Sequence, residues 1–136
     1  MAFTTVRWMT GKQFVGIDST KHSVVLSTPD EGVGMKPSDL LLIALAGCTA
    51  VDLVDILAKK RTPVSMLEIQ TSGEQDAEPP WAFRQIHLKY ILKGKGLTAK
   101  AVEQAIQLSE EKYCSVAATV RGVAEVHYEF ELLPED

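Results

Sequence analysis

Cys48 and Cys114 are the two cysteines of this 136-residue chain. A thiolate is a nucleophile that peroxides oxidise to sulfenic acid, and a second thiol meeting it in space converts that acid to a disulfide. The opposing reading is inert burial, because free cysteine packs as a small apolar residue. Residue types alone leave both open. Asp52 lies one helical turn after Cys48, where a carboxylate would raise the thiol pKa; otherwise it is the partner of an Arg or Lys elsewhere. His87 and His127 fall on the wet faces of strands and His22 in a turn. No C-x-x-C or H-x-x-x-H spacing occurs, so neither a metal nor another cofactor is implied.

The element that must position Cys48 runs from Pro37 to Lys60. Leu40 to Val51 carries no charge and Gly47 is its one strong helix breaker, which predicts a helix apolar nearly all round. Pro37 and Asp39 suit its first turn, Lys59, Lys60 and Arg61 its last, and Pro63 ends it. The uncharged run is shorter than a membrane span, with Asp52, Asp55, Lys59 and Lys60 following, so burial inside protein is expected and no membrane partner. Gly47 beside Cys48 suggests that another group packs closely against the backbone.

Before this helix, residues 2–9, 12–17 and 22–27 read as a small antiparallel meander, and Thr28 to Lys36 as a loop able to border a site. After it, Val64–Gln75 and Phe83–Lys93 read as a long hairpin around a wide loop. Trp81 in that loop is a packing residue or the wall of an apolar pocket. Thr98 is the predicted N-cap of a second helix through Lys112, with Val102, Ala105, Ile106 and Leu108 to Ser109 as its buried stripe. Cys114 follows at once. A short turn over Ser115–Val120 leads to a last strand, Ala124–Leu132, alternating apolar and polar. The order β-β-β-α-β-β-α-β predicts one α+β domain over residues 1–136, with mostly antiparallel sheet wrapped around two core helices.

A helix apolar on nearly every side needs cover on every side. A chain of this length has little to spare, so an intimate homodimer is expected. The net charge of −4, with 14 dispersed Lys and Arg, leaves no footprint for nucleic acid. The N-terminus MAFTTVRWMTGKQ lacks the pattern of a secretion signal, which predicts a cytoplasmic protein.

The motifs PSDLLLIALAGC and EKYCSV, and in fuller form GCTAVDLVDIL and KYCSVAAT, resemble the OsmC/Ohr family of organic hydroperoxide reductases, most nearly its YhfA-type branch. The similarity runs from about residue 24 to the end. It implies an OsmC-like intertwined α+β homodimer with two sites at its interface, Cys48 as the peroxidatic cysteine, Cys114 as the resolving one, a small hydrophobic hydroperoxide as substrate and a dithiol as reductant. In that family an N-terminal arginine held by a glutamate activates the thiolate. The glutamate's position here is Ser38. Asp39 is the neighbouring acid, about 14 Å along an ideal helix from Cys48 and near its opposite face, so it would act across the dimer or through an arginine. Arg7, the one arginine before Arg61, is the candidate activator, although strand alternation puts it on the presumed polar face. Two other readings stand beside the peroxidase: the same pocket binds an apolar or thiol-bearing small molecule with the cysteines as spectators or slow redox sensors, or both cysteines are core filler.

Overall fold

The computed structural model describes residues 1–135, in the order β-β-β-α-β-β-α-α-β with a π-helical turn between the last two helices. These residues divide into two compact units, one ending at Leu41 and the other beginning at Leu42. The fold class is the α+β arrangement expected from the order of elements.

The first unit is built on a meander of β1 (Thr5–Thr10), β2 (Gln13–Ile17) and β3 (Ser23–Ser27), antiparallel throughout. Gly11, at φ +50, turns the first hairpin. The Asp18 carboxylate holds the second by accepting the backbone N–H groups of Thr20 and His22 at 2.9 and 2.8 Å. Past β3 the chain folds back: Gly34 N–H donates to the buried Ser27 hydroxyl at 3.0 Å, and Met35 bridges to Leu26. Alternation predicted one apolar and one polar face for β1. Val6 and Trp8 are instead as open as Arg7, with 63% and 67% of their surface accessible.

The second unit holds β4 (Met66–Gln75), β5 (Phe83–Lys93), α2 (Ala99–Leu108), α3 (Ser115–Val120) and β6 (Glu125–Leu132). β4 and β5 form the predicted long hairpin, and Gly73 is needed within it because a Cβ there would meet the Phe83 ring at 2.6 Å. β6 joins β5 in parallel, with Ile86 beside Val126 and Leu88 beside Tyr128. Parallel pairing needs a long crossover, which the two helices between them supply. Ile86, Leu88, Tyr90 and Leu92 are fully buried on one face of β5, while His87 and Lys89 pair with Glu129 and Glu131 on the other. That alternation is the period of two read from the sequence.

Between these elements runs α1 (Pro37–Lys59). Its buried residues Leu45, Thr49, Leu53 and Leu57 recur every fourth position and, together with β5, α2 and α3, form one apolar cluster. Each fully buried leucine contributes roughly 1.5–3 kcal/mol. One face of the helix is left open: Ile43 is 50% accessible, Val51 70% and Val54 48%. Among the described residues beyond its own helical turn, nothing lies within 4 Å of a Cβ built on Gly47, so the close approach expected there is not made by them. By length and composition α1 could cross a membrane. Counting only its uncharged run understated this, yet its packed stripe is that of a core helix. The helix stops before Pro63 acts. Arg61 takes the left-handed conformation at φ 63, and Thr62 N–H reaches back to Leu57 O at 3.0 Å, the hydrogen bond that closes a Schellman cap.

Candidate functional site

Cys48 sits near the middle of α1, partly buried against the apolar cluster. Its neighbour Thr49 faces fully inward, with its hydroxyl donating back to Ala46 O at 3.1 Å and Leu45 O at 3.4 Å. The position between that inward stripe and the open face leaves Cys48 only partly buried.

Cys114 arrives by a different route. The Thr98 hydroxyl caps α2 as predicted, accepting Ala101 N–H at 3.1 Å. The helix does not continue regularly to Lys112. It passes at Leu108 into a π-helical turn, Ser109–Tyr113, closed by Cys114 N–H to Ser109 O at 2.7 Å. A π-turn makes i→i+5 bonds and so holds an extra residue. Tyr113 stays half exposed and Cys114, 3% accessible, continues the buried stripe after Val102, Ala105, Ile106 and Ser109. Leu108, predicted as part of that stripe, is 37% accessible instead. Cys114 then caps α3, its Sγ accepting Ala117 N–H at 3.3 Å.

The two thiols, distant along the chain, lie near enough for Cys48 to perturb Cys114, and both are free. Burial, with the Cys48 thiol beside it, pushes the Cys114 thiol up to about 11, against the opposing pull of the Ala117 N–H. Taking a thiolate out of water without a counter-charge has that sign. Cys114 therefore stays protonated at neutral pH, whereas Cys48 is the sulfur open to reagents.

Around this pair lies a layer of buried polar groups. Ser109 Oγ donates to Asp52 Oδ2 at 2.8 Å, so Asp52 meets a hydroxyl rather than the Arg or Lys expected for it. Glu110 is 6% accessible, and burial raises its carboxyl above the ordinary range although Arg121 opposes the shift. Arg121 reaches back to Glu110 O at 2.7 Å and to Glu110 Oε2 at 3.4 Å. The fully buried phenol of Tyr90 neighbours Cys114, Glu110 and Tyr128, and its ring meets that of Tyr128 edge to face at 6.4 Å. Thr49 lies beside it, but the Tyr90 hydroxyl makes no hydrogen bond of good geometry among the described residues. The sequence reading did not single out Glu110, Arg121 or Tyr90 as parts of a site. Glu110 did carry a signal, a charge one position past Ser109 in an otherwise apolar stripe. A cavity of about 560 Å³ lies alongside, lined by Asp52, Ile56 and Lys59 of α1 and by Leu108 and Tyr113.

The remaining candidates lie elsewhere. Arg7 is exposed on β1 and makes no hydrogen bond or ion pair among the described residues. Asp39 is exposed in the first turn of α1 and faces Lys36 at 3.7 Å. His87 and His127 are surface residues paired with Glu129 and Glu125, each at 3.3 Å, and His22 lies in the β2–β3 turn. Trp81 is 54% accessible at the tip of the β4–β5 hairpin, so it packs against little.

Comparison with known proteins places this geometry in context. A family model described as OsmC-like protein matches residues 28–129. Protein YhfA of Escherichia coli strain K12 is 33% identical over 128 residues, covering 94% of this chain and 96% of its own. The crystal structure of an OsmC-like protein from Mycoplasma pneumoniae superposes with a TM-score of 0.86 at 16% identity, covering 98% of both chains. The organic hydroperoxide resistance protein OhrB of Bacillus subtilis gives 0.65 at 19% identity, over 96% of this chain and 98% of that one.

Proposed function

Because the chain belongs to the OsmC-like family, we propose that it is a thiol-dependent reductase of small, hydrophobic organic hydroperoxides. The Cys48 thiolate attacks the distal oxygen of the O–O bond. That bond breaks, the alkoxide leaves and takes a proton to become an alcohol, and Cys48 is left as a sulfenic acid. Cys114 attacks the sulfenic sulfur, hydroxide leaves as water with the Cys114 proton, and a disulfide remains for an external dithiol to reduce. The observation that carries this reading is the nearness of a partly buried thiol to a buried one. The likeness to a protein named for organic hydroperoxide resistance supports it.

A thiol of ordinary pKa is only a few per cent ionised at neutral pH, so the attack needs a cation. Arg7 is the proposed source, and Asp39 the acid that would orient it. Both act in a homodimer whose second copy covers the open face of α1. The apolar, half-exposed Ile43, Val51 and Val54, with the unfilled space beside Gly47, support that assembly. The setting proposed is the cytoplasm, with no role for nucleic acid, membrane, metal or other cofactor.

Cumene hydroperoxide consumption with dithiothreitol tests the proposal. Wild type turns over, Cys48→Ser falls to the uncatalysed rate, and Arg7→Ala loses most of its kcat/KM. Equal rates for wild type and Cys48→Ser reject the peroxidase and leave a binding or sensing protein.

A further inference from the structure

The hydrogen bond between Asp52 and Ser109 ties the segment that carries Cys114 to the helix that carries Cys48. Asp52 stands one helical turn beyond Cys48 on α1. Its carboxylate accepts the Ser109 hydroxyl at 2.8 Å, and the carbonyl of that same serine accepts the Cys114 N–H at 2.7 Å. Ser109 is fully buried. A buried hydroxyl without a partner is costly, so sliding the π-turn along α1 by one position would leave both serine and aspartate unsatisfied. The turn is further closed behind Cys114 by Arg121, which grips both the carbonyl and the carboxylate of Glu110. The segment that carries Cys114 is thus pinned to the helix that carries Cys48 at its front and tied to itself at its back.

We propose that Asp52 and Ser109 are positioning residues that hold the Cys114 thiol against Cys48 and thereby set how readily the pair closes to a disulfide. The inference rests on the redox reading of the two cysteines. It does not depend on hydroperoxide being the oxidant. Nearness in the reduced protein means a high effective concentration of one thiol at the other, and a looser turn lowers it. A bond that merely stabilised the fold would favour the reduced and oxidised proteins equally and leave the equilibrium between them unchanged.

The test equilibrates the full-length protein with mixtures of oxidised and reduced dithiothreitol, with mass spectrometry reading the fraction of the Cys48–Cys114 disulfide. The reaction is balanced: two S–H bonds of the protein break, one S–S bond forms, and two electrons and two protons pass to the dithiothreitol ring, which opens to its dithiol. Ser109→Ala and, as a second variant should that one fold poorly, Asp52→Ala are expected to lower the equilibrium constant by about tenfold or more. Asp52→Asn, which still accepts the serine hydroxyl, is expected to restore a value within about threefold of wild type, separating position from charge. A constant unchanged or increased in Ser109→Ala and Asp52→Ala overturns the inference while leaving the redox pair intact. A wild-type protein that forms no disulfide in dithiothreitol mixtures or with diamide overturns both.

Discussion

At the residue scale the two sulfurs differ by exposure, and reactivity follows from that difference. Cys114 is buried with its thiol held up to about 11, so its thiolate is scarce near neutrality, while Cys48 is only partly buried. Iodoacetamide at pH 8, followed by mass spectrometry, is expected to label Cys48 first. Labelling of Cys114 is expected to rise about tenfold per pH unit up to near pH 11, as the thiolate fraction does. Glu110 presents the opposite case of a buried acid. Its raised carboxyl pKa means that the folded state prefers the protonated form, so its cost is absent at low pH and grows as pH rises through the raised value. Arg121 offsets part of that cost. Arg121→Met is therefore expected to destabilise the protein by about 2 kcal/mol at pH 8, below the 3–5 kcal/mol of a fully buried pair because Arg121 is about a third exposed. The deficit should shrink at pH 5, and urea denaturation at the two pH values measures it.

Among the elements, α1 divides its work between two faces. The inward stripe of Leu45, Thr49, Leu53 and Leu57 is closed within the chain, whereas Ile43, Val51 and Val54 are not. Leu53→Ala is expected to cost about 2–5 kcal/mol in urea denaturation, the range for a cavity at a buried leucine. The second helix changes its period where the chemistry begins. A regular α-helix through Lys112 was the simplest continuation of the pattern, and the π-turn that replaces it turns Ser109 and Cys114 inward while Tyr113 stays exposed. Charged residues dominate that turn, Ser-Glu-Glu-Lys-Tyr, so hydrophobic periodicity gave no warning of the change.

On the scale of the whole molecule, the proposed second copy would cover the open face of α1. Val51→Glu places a charge in the middle of that face while touching none of the buried stripe. Sedimentation is expected to show a dimer for wild type and a monomer for this variant; a wild-type monomer at micromolar concentration would refute the assembly.

The chain by itself determined the bounds of its long helix, the Thr98 cap, the three-strand meander and the long hairpin. Each is written in local periodicity or in the chemistry of a single residue. The parallel placing of β6, the Asp52–Ser109 bond and the Glu110–Arg121 pair were decided by tertiary structure. A serine, an aspartate or a buried glutamate shows its partner only when distant segments pack, and the side chain is then satisfied by whatever lies across from it. The nearness of the thiols belongs to both levels. Resemblance paired the cysteines, but their nearness comes from a helix stripe and a widened turn meeting across one core.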